Sequence, residues 1–152
     1  MVDVGEGEYR DLSNFEPHEF QFRGVRCGSM EGLLQSLKFP IPDKQVRVAA
    51  LWGVKAKWKG KKKKWYLDHT LYWQGKAMCR FGEEYQALVR EAYYAMASQS
   101  EKFRSAIMRT GDQPLCHSIG KSDPRYTILT ESEFVETLKA VREYCFSACS
   151  DK

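Results

Sequence analysis

The sequence predicts an α+β protein: mostly α-helical, with a small β element, as a single domain over residues 1–152 whose core spans about 11–146. Three observations lead there. Apolar residues recur at helical spacing in about five stretches, several opened by a capping residue. Alternation of the strand kind is confined to short segments. And 152 residues suffice for one core, because a domain of that size buries roughly 70% of the surface its unfolded chain exposes.

Residues 12–27 read as short strands and turns, with Leu12, Phe15, Phe20, Phe22 and Val25 separated by Asn14, Pro17 and Gly24. The loose alternation from Phe20 to Val25 predicts a hairpin or an edge strand. Ser29 then caps a helix over 30–39, ended by Pro40 and Pro42, since proline cannot continue a helix. Asp43 caps a second helix over 44–52, with Val46, Ala49 and Ala50 on one side and Gly53 as its stop. Residues 55–65, KAKWKGKKKKW, read as a lysine-rich loop. The aromatic stretch 65–81 fits a strand pair or an irregular segment. Helical spacing returns over 83–98, where Tyr85, Leu88, Ala92 and Met96 share a stripe. Ser100 caps a helix through Met108, closed by Gly111. Residues 112–129 form a loop with room for a short strand. Thr130 and Glu133 make a T-x-x-E capping box. The helix they open carries Phe134, Leu138, Val141 and Cys145 on its buried side.

Composition excludes several classes. Hydrophobic residues are 43% and charged residues 29%, ordinary for a globular chain. No apolar run approaches the ~20 residues of a membrane span, so no membrane partner is expected. Residues 1–10 are mostly acidic and glycine-bearing, unlike a secretory signal or an Arg-rich transit peptide. The five cysteines are Cys27, Cys79, Cys116, Cys145 and Cys149. Their number is odd and they form no C-x-x-C pair, which fits reduced thiols and a cytoplasmic location. Cys145 and Cys149 have no second pair to complete a zinc site. His18, His69 and His117 lack ligand spacing, so no metal is expected. No dinucleotide, P-loop or serine-hydrolase signature is present.

Net charge is +4, but its placement matters more: residues 55–65 hold seven lysines, interleaved with Trp58 and Trp65. Such a run is either a solvated surface or a cationic one for a phosphorylated ligand or nucleic acid. The helix over 30–39 is the other informative stretch. Glu31, Gln35 and Lys38 fall at i, i+4 and i+7, beside the apolar stripe of Met30, Leu33, Leu34 and Leu37. An acid, an amide and an amine along that border suit either a pocket wall or an exposed polar face. The segment from His117 to Asp123 gathers small, polar and cationic groups that either connect elements or hold a phosphate on backbone amides.

Four blocks, in order, carry a family resemblance. Residues 12–20, LSNFEPHEF, resemble the L-S-N-F-x-P-x-x-F opening of the NADAR family, the YbiA-like proteins. Residues 29–39, SMEGLLQSLKF, are similar to its S-V-E-H-x-x-Q-x-x-K-F helix. Gly53, Ala56, Lys57 and Gly60 match its G-x-x-A-K-x-x-G segment. Residues 85–111 resemble a helix pair ending in L-L-x-T-G. The likeness spans residues 11–142.

The resemblance implies a YbiA-like fold and N-glycosidase chemistry without a cofactor. The bond cut is C1′–N of a phosphorylated ribosyl compound, such as ADP-ribose attached to guanine, in small-molecule or nucleic-acid form. It assigns Glu31 as catalytic, Lys38 as catalytic through a Schiff base or as a clamp, and Asn14 as a pocket asparagine. Gln35, Lys57 and Asp123 are expected around the substrate, and Lys55 to Lys64 offer nucleic-acid contact. The chain departs from the family in three places. Gly32 replaces a histidine, the closing D-x-x-W-G-I-G and G-x-N-x-L-G motifs are missing, and Tyr126 stands for a tryptophan. These mark a divergent, phage-type branch. They also leave open a non-catalytic module that binds ADP-ribose, a nucleotide or nucleic acid.

Overall fold

The computed structural model describes residues 1–150, with side chains through 148. Among the described residues six α-helices surround one core, and six short strands pair as three two-stranded ribbons. Strand β1 (Val2–Asp3) and the 3-10 turn Gly7–Leu12 open the chain. Strands β2 (Phe20–Phe22) and β3 (Val25–Cys27) form the expected hairpin. Its turn residues Arg23 and Gly24 both have positive φ, 48° and 81°, the turn whose twist matches paired strands.

Helix α1 (Met30–Ser36) is the centre of the molecule. Ser29 caps it as expected, its Oγ accepting from Gly32 N at 2.9 Å. The apolar stripe of α1 is fully buried, and the helix packs against α2 (Pro42–Ala49), α3 (Gly53–Lys61) and α4 (Glu83–Gln99). Pro42 does not end a helix; it opens α2 at its first turn, where its missing N–H has no partner to lose. Asp43 is likewise not the cap. Ile41 holds that position, and Asp43 sits in the first turn, where a carboxylate favours the helix dipole.

The largest correction concerns the lysine run. Most of it is helix α3, not loop. Gly53 does not stop α2, which ends at Ala49 with Ala50 as its C-cap; with φ 62° it is the first residue of α3. The buried stripe of α3 is Gly53, Ala56 and Gly60. Those residues have so little apolar bulk that the helical period is invisible to a hydrophobicity reading.

Beyond a 3-10 turn at Trp65–Leu67, the aromatic stretch resolves as a second hairpin, β4 (Thr70–Trp73) with β5 (Lys76–Cys79), turning on Gln74 and Gly75. Buried Gln45 ties this hairpin to α1. Its Nε2 donates to Ser36 O (3.1 Å) and Tyr72 O (2.8 Å), and its Oε1 accepts from Gln74 N (2.7 Å). Helices α4 and α5 (Glu101–Arg109) meet at Ser100, which caps α5 through Phe103 N. Strand β6 (Leu115–Cys116) pairs in parallel with β1, joining residue 2 to residue 115. The capping box of α6 (Glu131–Ser150) forms as read: Thr130 N donates to Glu133 Oε1 (2.8 Å) and Glu133 N to Thr130 Oγ1 (3.1 Å). Cys27, Cys79 and Cys116 are free thiols, while the expectation for Cys149 lies outside the described side chains. Among the described residues no helix is long and apolar enough to cross a membrane.

Candidate active site

A cavity of about 350 Å³ opens where α1, α3, the segment 13–15 and the segment 117–130 meet. That volume lies in the range of small-ligand sites. Of the residues singled out from sequence, Asn14, Glu31, Gln35, Lys38 and Lys57 all line it. Asp123 does not. Its carboxylate turns to Arg125, accepting from the backbone N–H (3.0 Å), Nε (3.1 Å) and the guanidinium end (3.0 Å).

Helix α1 supplies the centre. Glu31 and Gln35 are one turn apart, and Gln35 Nε2 donates to Glu31 Oε1 at 2.8 Å. The chain leaves the helix after Ser36, and Lys38 follows, its Nζ reaching Gly60 O of α3 at a long 3.4 Å. Burial moves both charges toward neutrality. Desolvation raises the Glu31 carboxyl above its ordinary range, against the opposing pull of Gln35 and the charges of Lys38 and Lys57. Desolvation likewise pushes the Lys38 amine down to about 8, although the charge of Glu31 works the other way. A larger share of Lys38 is then a neutral amine near neutral pH than for a free lysine.

The neighbours hold this pair in place. Glu31 N donates to Asn14 O at 2.9 Å, locking the 13–15 segment onto the first turn of α1. The hydroxyl of fully buried Tyr93 donates to Asn14 Oδ1 at 2.7 Å. With its oxygen so engaged, the amide nitrogen is the part of Asn14 left to bond a ligand. Gln35 Oε1 is buried without a hydrogen-bond partner among the described residues. An unmet acceptor costs about 1–3 kcal/mol, a cost accepted here in holding Glu31. It lies against Gly60, where an added Cβ would fall 1.7 Å away, so only glycine lets α3 approach this closely.

The far wall is the segment 117–130. His117, Ile119, Gly120 and Lys121 line the cavity, with Tyr126 to Thr130 beyond them. Arg80, 1% exposed, pins this wall. Its Nε donates to Thr127 O at 3.0 Å, and its guanidinium forks onto Glu133 at 2.6 and 3.1 Å. Glu133 also takes Gln86 Nε2 at 2.7 Å, so a buried charge meets a full set of partners. The Tyr85 hydroxyl donates to Ile128 O. Glu133 was visible in the sequence as a capping residue. Arg80 carried no sequence signal, because its partners are about fifty residues away.

Gly32, where the resemblance expects histidine, has a packing cause. A Cβ there would stand 2.3 Å from Leu51 O and 2.6 Å from Ala49 O. The link between α2 and α3 occupies the place a side chain would need.

An acid and an amine, both driven toward neutrality by burial, thus share a cleft with amides, lysines and aromatic rings. The fold is that of the YbiA-like proteins. The solution structure of YbiA from E. coli superposes with a TM-score of 0.68, covering 99% of this chain and 86% of that one, at 14% identity. The chain itself belongs to the bacteriophage protein GP30.3 family, a NADAR-type family, whose pattern matches residues 9–143. A relative is the uncharacterized 17.1 kDa protein of the Gp30–rIII intergenic region of Enterobacteria phage T4, 34% identical over 137 residues, or 87% of this chain and 88% of that one.

Proposed function

We propose that the protein is an N-glycosidase that hydrolyses the C1′–N bond of a phosphorylated ribosyl compound, such as ADP-ribose joined to guanine. The observation that carries this reading is the Glu31–Lys38 pair on one cavity wall, with both groups shifted by burial toward their neutral forms.

A proton passing from the Lys38 ammonium to the Glu31 carboxylate creates a nucleophile and a general acid in one step. Lys38 Nζ then bonds C1′ as the C1′–N bond breaks. The bond's electron pair leaves with the base, which takes the proton from Glu31. The added Nζ loses a proton to the ring oxygen as the sugar opens, leaving a protonated imine between Nζ and C1′. Water adds to C1′, Nζ departs, and the free sugar phosphate is released with Glu31 and Lys38 restored to their starting charges. As Glu31 gives up its proton to the base, the carboxylate that forms stabilises the charge developing at C1′. Lys57 and Lys121, from two different segments, supply positive charge for the phosphates, and Trp65 and Tyr126 offer rings for the base.

The test is release of free base and sugar phosphate from a panel: ADP-ribosyl-guanine DNA, free nucleotide analogues and a riboflavin-pathway ribosyl intermediate. Wild type should turn over at least one substrate, and Glu31→Gln should lose about 10²–10⁴-fold in kcat. Tight binding of ADP-ribose without release from any substrate would replace the enzyme with a binding module.

A further inference from the structure

The second face of α3 carries a separate surface that the pocket chemistry leaves unused. A shallow groove of about 660 Å³ lies there, with Phe39, Leu51, Val54 and Trp58 as its apolar floor. Trp58 is 63% exposed and Val54 58%, an unusual placement for an indole and a branched aliphatic one turn apart. Five ammonium groups rim this floor, from Lys44, Lys55, Lys59, Lys62 and Lys63. None of them is in an ion pair among the described residues, although nine such pairs occur elsewhere in the molecule. Lys63 and Lys44 instead lie over the Phe39 ring, at 4.9 and 6.0 Å.

We infer that this groove binds single-stranded nucleic acid. Unpaired lysines with no carboxylate among them attract a polyanion, and an exposed indole at the centre gives an unpaired base a platform to stack on. A duplex hides its base faces and has no use for Trp58. A second copy of this chain is a poor occupant, because a twofold contact through the groove would bring ten lysines together. An acidic peptide would meet the lysines but leaves the indole without a stacking partner. The surface stands apart from Glu31 and Lys38, so it does not depend on the glycosidase reading. Among the lysines of α3, Lys57 alone lines the cavity, and a strand held on the outer face therefore runs beside the cavity.

Fluorescence anisotropy with a labelled single-stranded oligothymidine tests this, at several salt concentrations. The expected result is binding by wild type and by Glu31→Gln alike. Trp58→Ala should weaken it about tenfold, in line with the loss of one stacked base. Replacing Lys55, Lys59, Lys62 and Lys63 by Ser should flatten the dependence on salt, by about 0.7 in log–log slope for each phosphate that is no longer neutralised. Both variants alter exposed or half-exposed side chains, and their thermal melts should match wild type. Absence of oligonucleotide binding would overturn the proposal. So would binding that Trp58→Ala leaves unchanged, or tighter binding to phosphatidylglycerol vesicles or polyaspartate than to the oligonucleotide.

Discussion

Glu31 and Lys38 are costly residues to keep. A carboxyl whose folded value is raised binds more protons folded than unfolded over that window, so its contribution to stability is lost as pH rises past the ordinary carboxylate range. At neutral pH the buried carboxylate therefore destabilises the fold. Glu31→Gln, which keeps the shape and removes the charge, should raise Tm by a few degrees while losing about 10²–10⁴-fold in kcat; a scanning melt beside the activity assay shows both. Lys38 gives a second prediction. If Lys38 supplies both the nucleophile and, through Glu31, the proton for the leaving base, kcat/KM falls as pH rises past about 8, where the pair loses that proton. Lys38→Arg, which keeps the cation and cannot form an imine, should lose about 10²-fold or more across the whole range. A clamp that needs only positive charge would instead survive as arginine, with activity that no longer falls above pH 8.

At the scale of elements, the legible parts were those with bulky stripes or strong caps. Ser29, Ser100 and the Thr130–Glu133 box marked three helix starts, and the Phe20–Val25 alternation marked the first hairpin. Helix α3 was hidden because glycine and alanine form its buried stripe. The β1–β6 pair was hidden because two-residue strands carry no period, and its partners are over a hundred residues apart. The same small residues set the site. Gly32 lets α1 meet the backbone of the α2–α3 link, and Gly60 lets α3 close on the Gln35 side chain, with Lys57 of α3 at the cavity. Gly32→Ala should therefore cost about 1–3 kcal/mol by urea unfolding, because the atoms it meets are backbone carbonyls that cannot swing aside. An alanine with wild-type stability would mean that the α2–α3 link is free to shift.

Across the whole molecule, five of the six site residues read from sequence converge on one cavity: Asn14, Glu31, Gln35, Lys38 and Lys57. Three come from α1 and the turn that ends it, where spacing alone puts them on adjacent turns. Asn14 and Lys57 came from the family resemblance, since no local pattern links positions so far apart. Asp123 failed to join them because Arg125, two residues on, takes its carboxylate. The opposite wall, with Arg80 behind it, rests on long-range pairing that a linear reading does not reveal. Another long-range contact sets acid stability. Buried His18 lies with Nε2 2.6 Å from Asp11 O, to which it donates, and Nδ1 2.9 Å from the Ser100 hydroxyl, so both ring nitrogens are partnered inside the fold. Burial lowers its pKa, so the folded state binds fewer protons than the unfolded one. That contribution is intact above about 6.5 and is lost as pH falls below it. Urea melts should show wild type losing up to about 1 kcal/mol more than His18→Gln between pH 7.5 and 5.5. Equal losses would place the acid sensitivity elsewhere.

In the proposed reaction Lys38, helped by Glu31, takes C1′ from the leaving base. Borohydride reduction during turnover, followed by intact-mass and peptide mass spectrometry, tests it most directly. A single covalent adduct is expected on Lys38, with the mass of the reduced sugar phosphate and absent from Lys38→Arg. Base release with no adduct, by a Lys38→Arg variant as active as wild type, would contradict it.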